Sequence, residues 1–392
     1  MRKNKAVIDR FDLDTRMLPV WDGDTVYNES VMFVGVNDRV KLLYEPSEII
    51  SVRSKDLKTE YVKGVDYDVD DEGFLVLLPG TSAVFIPEEL YYSFNAEVPE
   101  VVIKVLRDGA EAPLYFSEEI SKYQVFVTYR HEPDPWLFIP PVRRDAFKKL
   151  IGKFEAGEDV TMIFYGDSIT FGASSSSLFN CEPFEPIWPV MFTEYLADRY
   201  SYTVNYVDPK LPNTASVPSG PSLPAGRSRG TVTYVNTAVG GWSSRNAADS
   251  FDLHVAPFVE KYGCDFFLFG FGMNDGLNDT DTQKGLVKAT LDRMTEAAPQ
   301  CELLLLSTMV PNPDSVNGWY ARQELFEDVY YELADHYTRL GHPAAVAPMT
   351  SVSKSMLCRK RFRDYTGNNI NHPNDFMAAV YAQTVMQTVA GC

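Results

Sequence analysis

The chain has 392 residues, more than a single core usually holds, so two domains are expected. Hydrophobic residues make up 45% and charged residues 23%, a globular balance, and the formal net charge is −18. That acidity offers no basic face for a phosphate backbone, so nucleic acid is not an expected partner. No apolar run reaches the length of a membrane span, so a membrane is not expected either.

The opening MRKNKAVIDRFDLD has basic residues but no apolar stretch behind them and does not read as a secretory leader. Cys181, Cys264, Cys301, Cys358 and Cys392 are scattered, without a CxxC pair, which indicates neither a zinc site nor a disulfide framework. Reduced thiols in a cytoplasm are the expectation, although a secreted form trimmed of its leader would look the same.

In chain order, the runs VYNESVMFVGV, VKLLYEP, IISVRS, FLVLLPG, AVFIP, VVIKVL and YQVFVTYR read as short strands. Turn pairs such as Asn37-Asp38, Pro79-Gly80 and Asp108-Gly109 separate them. This spacing predicts an all-β, antiparallel, jelly-roll-like sandwich over residues 1–145. The stretch PWLFIPPVRR reads as a stiff connector, and His131 is expected in the connector region. From residue 146 to 392 the texture changes. The strand-like runs TMIFYG, TVNYV, VTYVNTAV, DFFLFGFG and ELLLLSTMV alternate with the helix-like WPVMFTEYLADRY, NAADSFDLHVAPFVEKY, KGLVKATLDRMTEAA and ARQELFEDVYYELADHYTRL. Apolar strands alternating with amphipathic helices predict an α/β domain, its parallel sheet covered on both faces. Residues 208–230, rich in Pro, Ser and Gly, read as a long loop able to wall a cleft.

Active sites of such sheets lie at the carboxyl ends of the strands. The first strand there runs into Gly166-Asp167-Ser168-Ile169-Thr170. A serine at such a turn can expose its hydroxyl as a nucleophile, and helix capping by Ser or Asp is an equal rival reading. The next ends in Asn236-Thr237-Ala238-Val239-Gly240-Gly241-Trp242, a tight turn whose glycines can present bare N–H groups. Another ends in Gly270-Phe271-Gly272-Met273-Asn274-Asp275, where an Asn amide can donate to an oxyanion or cap a helix. Close to the C-terminus, Asn368-Asn369-Ile370-Asn371-His372-Pro373-Asn374-Asp375 places a histidine in the loop before the last helix. His372 is a candidate general base there, and Asn374 or Asp375 is expected to cap that helix. His254 and His336 read as helix residues and His342 as part of a turn. No cluster has metal-ligand spacing, so neither a metal nor a cofactor is expected.

Taken together and in order, GDSI, NTAVGG, GMND and NHPND resemble the four blocks of the SGNH (GDSL) hydrolase superfamily. The resemblance covers residues 146–392 and implies a flavodoxin-like, three-layer SGNH sandwich. It implies Ser168 as nucleophile, His372 as base, and the Ser168 N–H, the Gly241 N–H and the Asn274 side chain as oxyanion donors. The family usually has an aspartate three residues before the histidine, and here that position is Asn369. Asp364 is the nearest spare carboxylate and Asp375 lies on the other side. A Ser–His dyad is the alternative, as in family 2 carbohydrate esterases, whose two-domain architecture this chain resembles. Trp242 and Asp167 are candidate substrate contacts, with a core aromatic an equal reading of Trp242. The expected activity is hydrolysis of a small acyl ester, first of all an acetyl ester on a sugar or oligosaccharide. A short-chain lipid or generic ester is the enzymatic alternative. A decayed hydrolase that binds glycan is the non-enzymatic one. A homo-oligomer is compatible with all of these.

Overall fold

Six apolar runs after residue 159 line up as one parallel sheet in a computed structural model that describes residues 12–97, 102–135, 137–214, 228–316 and 319–391. In the antiparallel part that precedes it, the strands are β1 (Thr25–Met32), β2 (Arg39–Val40), β3 (Pro46–Ser54), β4 (Glu60–Tyr61), β5 (Tyr67–Val69), β6 (Leu75–Leu77), β7 (Lys104–Arg107), β8 (Ala110–Pro113) and β9 (Gln124–His131). They pair as a four-stranded sheet β1-β9-β3-β4, a three-stranded sheet β2-β6-β5 and the hairpin β7-β8. The AVFIP run is not a strand. It makes one bridge, Val34 to Ile86, because Pro87 then opens the short helix Glu88–Tyr91. His131, expected in the connector, ends β9 and stacks on Tyr44 with ring centroids 4.0 Å apart.

The parallel sheet consists of β10 (Val160–Gly166), β11 (Thr203–Val207), β12 (Thr231–Asn236), β13 (Phe266–Gly270), β14 (Glu302–Leu306) and β15 (Ala344–Ala347). Its order is β11-β12-β10-β13-β14-β15. Without the edge strand β11, the remaining strands follow the flavodoxin-like order 2-1-3-4-5. Its reversal point falls between β10 and β13, where such sheets open a crevice. β15 went unread in the sequence because AAVA has little intrinsic strand preference; pairing with β14 and complete burial form it. The helical run after Asn246 also differs from expectation. It breaks into Ser244–Asp249, Phe251–His254 and Ala256–Tyr262, the last with a proline in its first turn. Of the loop 208–230, residues 215–227 lie outside the described residues, as does Trp136 in the connector.

The final helix, Asp375–Ala390, is buried on almost all its faces, which its largely apolar composition allows. One apolar cluster joins it, through Phe376, Met377 and Val380, to Val31 of β1 and Val127 and Tyr129 of β9. The antiparallel part and the α/β part therefore share a core. Their seam is also polar. Lys360 forms a fully buried ion pair with Glu29 of β1, whose carboxylate further accepts from the Leu43 N–H (2.9 Å) and the Tyr129 hydroxyl (2.6 Å). Gln124 of β9 donates to the carbonyls of Arg363 and Thr366, at 3.0 and 2.8 Å. Asn374 caps the final helix through the Met377 N–H and turns its own amide on Ser30 and Gln124, both at 2.8 Å.

Removing one partner of a buried ion pair leaves the other charge unpaired and typically costs about 3–5 kcal/mol. Burial already pushes the Glu29 carboxyl above its usual range, against the opposing pull of the Lys360 ammonium. Lys360→Met should therefore lower unfolding free energy at neutral pH by about that amount. The loss should shrink as pH falls toward the carboxylate range and Glu29 takes up a proton. Urea denaturation at two pH values reads both effects.

Candidate active site

The site begins with two glycines. Gly166 ends β10 opposite Gly270 at the end of β13. A Cβ on Gly166 would stand 2.3 Å from Thr170 Oγ1 and 2.6 Å from the Gly270 carbonyl oxygen. One on Gly270 would stand 2.5 Å from the same hydroxyl oxygen. Bare backbone on both strands lets the turn Ser168–Phe171 settle over the sheet end, with the Asp167 N–H bonded to the Gly270 carbonyl at 3.1 Å.

The side chains of Asp167 and Ser168 at this turn have different partners. Asp167 is the cap, its Oδ1 accepting from the Ile169 N–H at 3.0 Å. The Ser168 hydroxyl instead meets His372 Nε2 at 3.0 Å. Asp167 was expected as a substrate contact, and this is corrected: it is 1% exposed and faces the protein interior. Burial pushes its carboxyl up to about 7, helped by the charge of Asp275 and opposed by the Ile169 and Met273 N–H groups and by His372.

His372 Nδ1 lies 2.8 Å from Glu118 Oε1, so the ring donates from Nδ1 and presents the Nε2 lone pair to the serine. Glu118 stands between β8 and β9, 254 residues before the histidine. It was not singled out in the sequence, where one glutamate among many in a strand-rich stretch gives no signal. Asp364, the candidate acid, is not at the ring. Its Oδ1 accepts from the Met32 N–H at 2.9 Å and its Oδ2 from the Arg361 N–H at 3.1 Å, so it ties β1 to the α/β part. Asn369, at the position of the family aspartate, is left-handed with φ +70° and donates its amide to the Tyr115 carbonyl at 3.1 Å. Asp375 is turned elsewhere too, accepting from the Ser176 N–H at 2.8 Å.

The oxyanion candidates stand on neighbouring strand ends. Val239 to Trp242 form a turn in which Gly241 has φ +78°, the conformation a type II turn requires at its third residue. The N–H groups of Ser168 and Gly241 have no hydrogen-bond acceptor among the described residues. Asn274 sits in the 3-10 turn Met273–Asp275 and gives one amide hydrogen to the Trp242 carbonyl at 2.8 Å, which fixes the plane of the amide and leaves a second hydrogen to donate. The partly buried Trp242 ring packs on His254, centroids 4.4 Å apart, and on the apolar cluster beneath β10 and β12. Trp242 thus braces the Asn274 amide through its carbonyl and the turn through its ring. His254 lies against the Thr237 carbonyl, and burial holds its imidazole below the usual value. Asp275 accepts from the Ser244 N–H and hydroxyl, at 3.0 and 2.9 Å, bracing the same turn from the other side.

Comparison with known proteins gives a distant likeness of fold. No family model matches the chain, and no curated protein matches it in sequence. The solved structures it matches include esterases and lipases. A two-domain esterase active on acetylated mannans, co-crystallised with mannopentaose, is 19% identical with a TM-score of 0.43 over 63% of this chain and 54% of that one. The chain thus spans about half the length of that esterase. A GDSL-like lipase from Parabacteroides merdae is 14% identical with a TM-score of 0.43, covering 60% of this chain and 97% of the lipase. A carbohydrate esterase family 3 protein from Talaromyces cellulolyticus is 16% identical with a TM-score of 0.39, covering 58% and 94%. At scores this low the chemistry has to be read from the chain's own residues. Among the described residues no helix is long and apolar enough to cross a membrane.

The raised carboxyl of Asp167 has a consequence for stability. The folded state keeps a proton that the unfolded chain releases near pH 4, so this group's contribution falls as pH rises toward about 7. Asp167→Asn keeps an acceptor for the Ile169 N–H and removes the charge. Between pH 5 and 8 the variant should lose about 2–3 kcal/mol less unfolding free energy than the parent, because only the parent has to give up that proton on the way. Urea unfolding of both proteins at the two pH values measures it.

Proposed function

We propose that the chain is a serine esterase acting on small acyl esters. The observation that carries this reading is the 3.0 Å approach of Ser168 Oγ to His372 Nε2, beside two unengaged backbone N–H groups and a fixed Asn274 amide. A serine hydroxyl is a weak nucleophile until a base takes its proton as it attacks. In this reading His372 takes that proton while Ser168 Oγ adds to the ester carbonyl. The negative charge that develops on the carbonyl oxygen is met by the N–H groups of Ser168 and Gly241 and by the free hydrogen of Asn274. His372 then protonates the departing alcohol. Water, deprotonated by the same imidazole, adds to the acyl-enzyme carbonyl, and the imidazole passes that proton to Ser168 Oγ as its bond to the acyl group breaks.

Ser168 is only 6% exposed, which favours a short acyl group over a long chain. On the motif resemblance, the substrate class is an O-acetylated sugar or oligosaccharide. The division into residues 1–145 and 146–392 remains part of this proposal.

Wild type should release p-nitrophenol from p-nitrophenyl acetate and acetate from acetylated oligosaccharides. It should also take up one fluorophosphonate, which peptide mass mapping places on Ser168. Ser168→Ala should abolish both the turnover and the label. Loss of one oxyanion donor in Asn274→Ala should lower kcat by about 10²–10³-fold. Absence of turnover and of label in wild type rejects the esterase and leaves a sugar-binding relic. Activity that survives Ser168→Ala rejects the site.

A further inference from the structure

The carboxylate behind His372 comes from the antiparallel part of the chain, and its surroundings are built around it. Glu118 Oε1 accepts from His372 Nδ1 at 2.8 Å and from Asn368 Nδ2 at 3.2 Å, and Oε2 accepts from the Ser174 hydroxyl. These donors come from two different loops. Ser174 belongs to the loop that follows the nucleophile, where the Ala173 N–H bonds to the Ser168 carbonyl at 2.9 Å. Asn368 belongs to the histidine loop, and its Oδ1 accepts the N–H groups of Ile370, Asn371 and His372. Burial by itself would raise the Glu118 carboxyl. The bond and charge of His372, with the hydroxyl of Ser174 and the amide of Asn368, bring it below its ordinary value, so it is anionic where an imidazolium needs a counter-charge.

The segment that holds Glu118 is itself fixed. Leu114 and Ile120 on either side are buried in a cluster with Met32, Ile86 and Tyr91, and Ile370 of the histidine loop enters the same cluster. The Tyr115 N–H bonds to the Tyr91 carbonyl at 2.9 Å, while its carbonyl receives the Asn369 amide. The side chain of residue 369 is therefore committed away from the ring.

We infer that Glu118, and not residue 369, is the carboxylate that positions His372 and offsets the charge it acquires. The antiparallel part thus completes the catalytic apparatus. This rests on the esterase reading of Ser168 and His372. Glu118 is a positioning residue, acting through the imidazole. Its carboxylate holds the Nδ1–H tautomer, so that Nε2 is free to take the serine proton, and it stabilises the imidazolium of the addition step. An amide there can orient the ring but carries no charge.

The experiment compares kcat/KM against pH for wild type, Glu118→Gln, Glu118→Asp and the double variant Glu118→Gln/Asn369→Asp, with fluorophosphonate labelling of Ser168 alongside. Glu118→Gln should fall by about 10²–10⁴-fold in kcat with little change in KM. Its acid limb should move to lower pH, because the imidazolium has lost its counter-charge. Glu118→Asp keeps the charge, so its acid limb should stay in place with a loss of about tenfold or less. The double variant should remain as slow as Glu118→Gln. If Glu118→Gln does not fold, the aspartate variant supplies the limb position. An unmoved limb in Glu118→Gln, a moved limb in Glu118→Asp, or turnover restored by Asn369→Asp overturns the inference while the serine esterase stands. A wild type with neither turnover nor label overturns the esterase, and this inference with it.

Discussion

The histidine loop is held on both sides, and the rest of the site depends on that. Between Arg361 and Asn374 the chain has no long regular element, only the 3-10 turn Phe362–Asp364 and the bridge from Thr366 to Pro373. Its shape comes from side chains. Thr366 Oγ1 accepts from the Asn369 N–H and donates to the His372 carbonyl, and Asn368 gathers three consecutive N–H groups. Ile370 then anchors the loop in an apolar cluster of the antiparallel part. A loop so short of backbone ladders holds a ring within hydrogen-bond range of a hydroxyl only if its polar groups are satisfied elsewhere.

The seam between the two parts follows the same physics. Buried polar groups are tolerated when each finds a partner, and a charge left alone is expensive. Glu29 with Lys360 is a closed pair within that seam, and Arg16 Nε donates to Glu185 at 2.8 Å and Nη1 to the Tyr27 carbonyl, while Nη2 has no partner among the described residues. Gln124 and Asn374 satisfy each other as well as the backbone around them. Such contacts add little net stability over apolar packing, but they fit only one relative placement of the parts. That placement puts a glutamate of one part against a histidine of the other.

On the nucleophile side the constraint is steric. Gly166 and Gly270 leave room for Thr170 to pack over the ends of two adjacent strands, and the left-handed Gly241 exposes backbone beyond the end of a third. The donors of the proposed oxyanion site are carried on the turns that follow these strands, with the Asn274 amide fixed by the Trp242 carbonyl and the Trp242 ring packed on His254. Little has to move for charge to be met as it forms.

Local pattern in the sequence was enough for the strands of the parallel sheet except β15, for its longer helices, for the strand-end turns of Ser168, Gly241 and Asn274, and for the place of His372 before the last helix. Each of these depends on residues close by in the chain: apolar periodicity, glycine at a turn, a polar residue at a strand end. It was not enough where long-range packing overrides local preference. The alanine-rich β15 forms only because β14 lies beside it. Asp364, close to His372 in sequence, proved to be engaged with β1, and Asn369 with Tyr115. Glu118 was invisible for the same reason. Its partnership with His372 spans 254 residues and exists only once Ile370 is buried among the side chains of the antiparallel part. The sequence by itself determined which strand ends carry the serine and the proposed oxyanion donors, and that a histidine precedes the last helix. The tertiary structure alone decided which carboxylate stands behind the histidine, because that contact is made by the docking of two parts and not by any spacing along the chain.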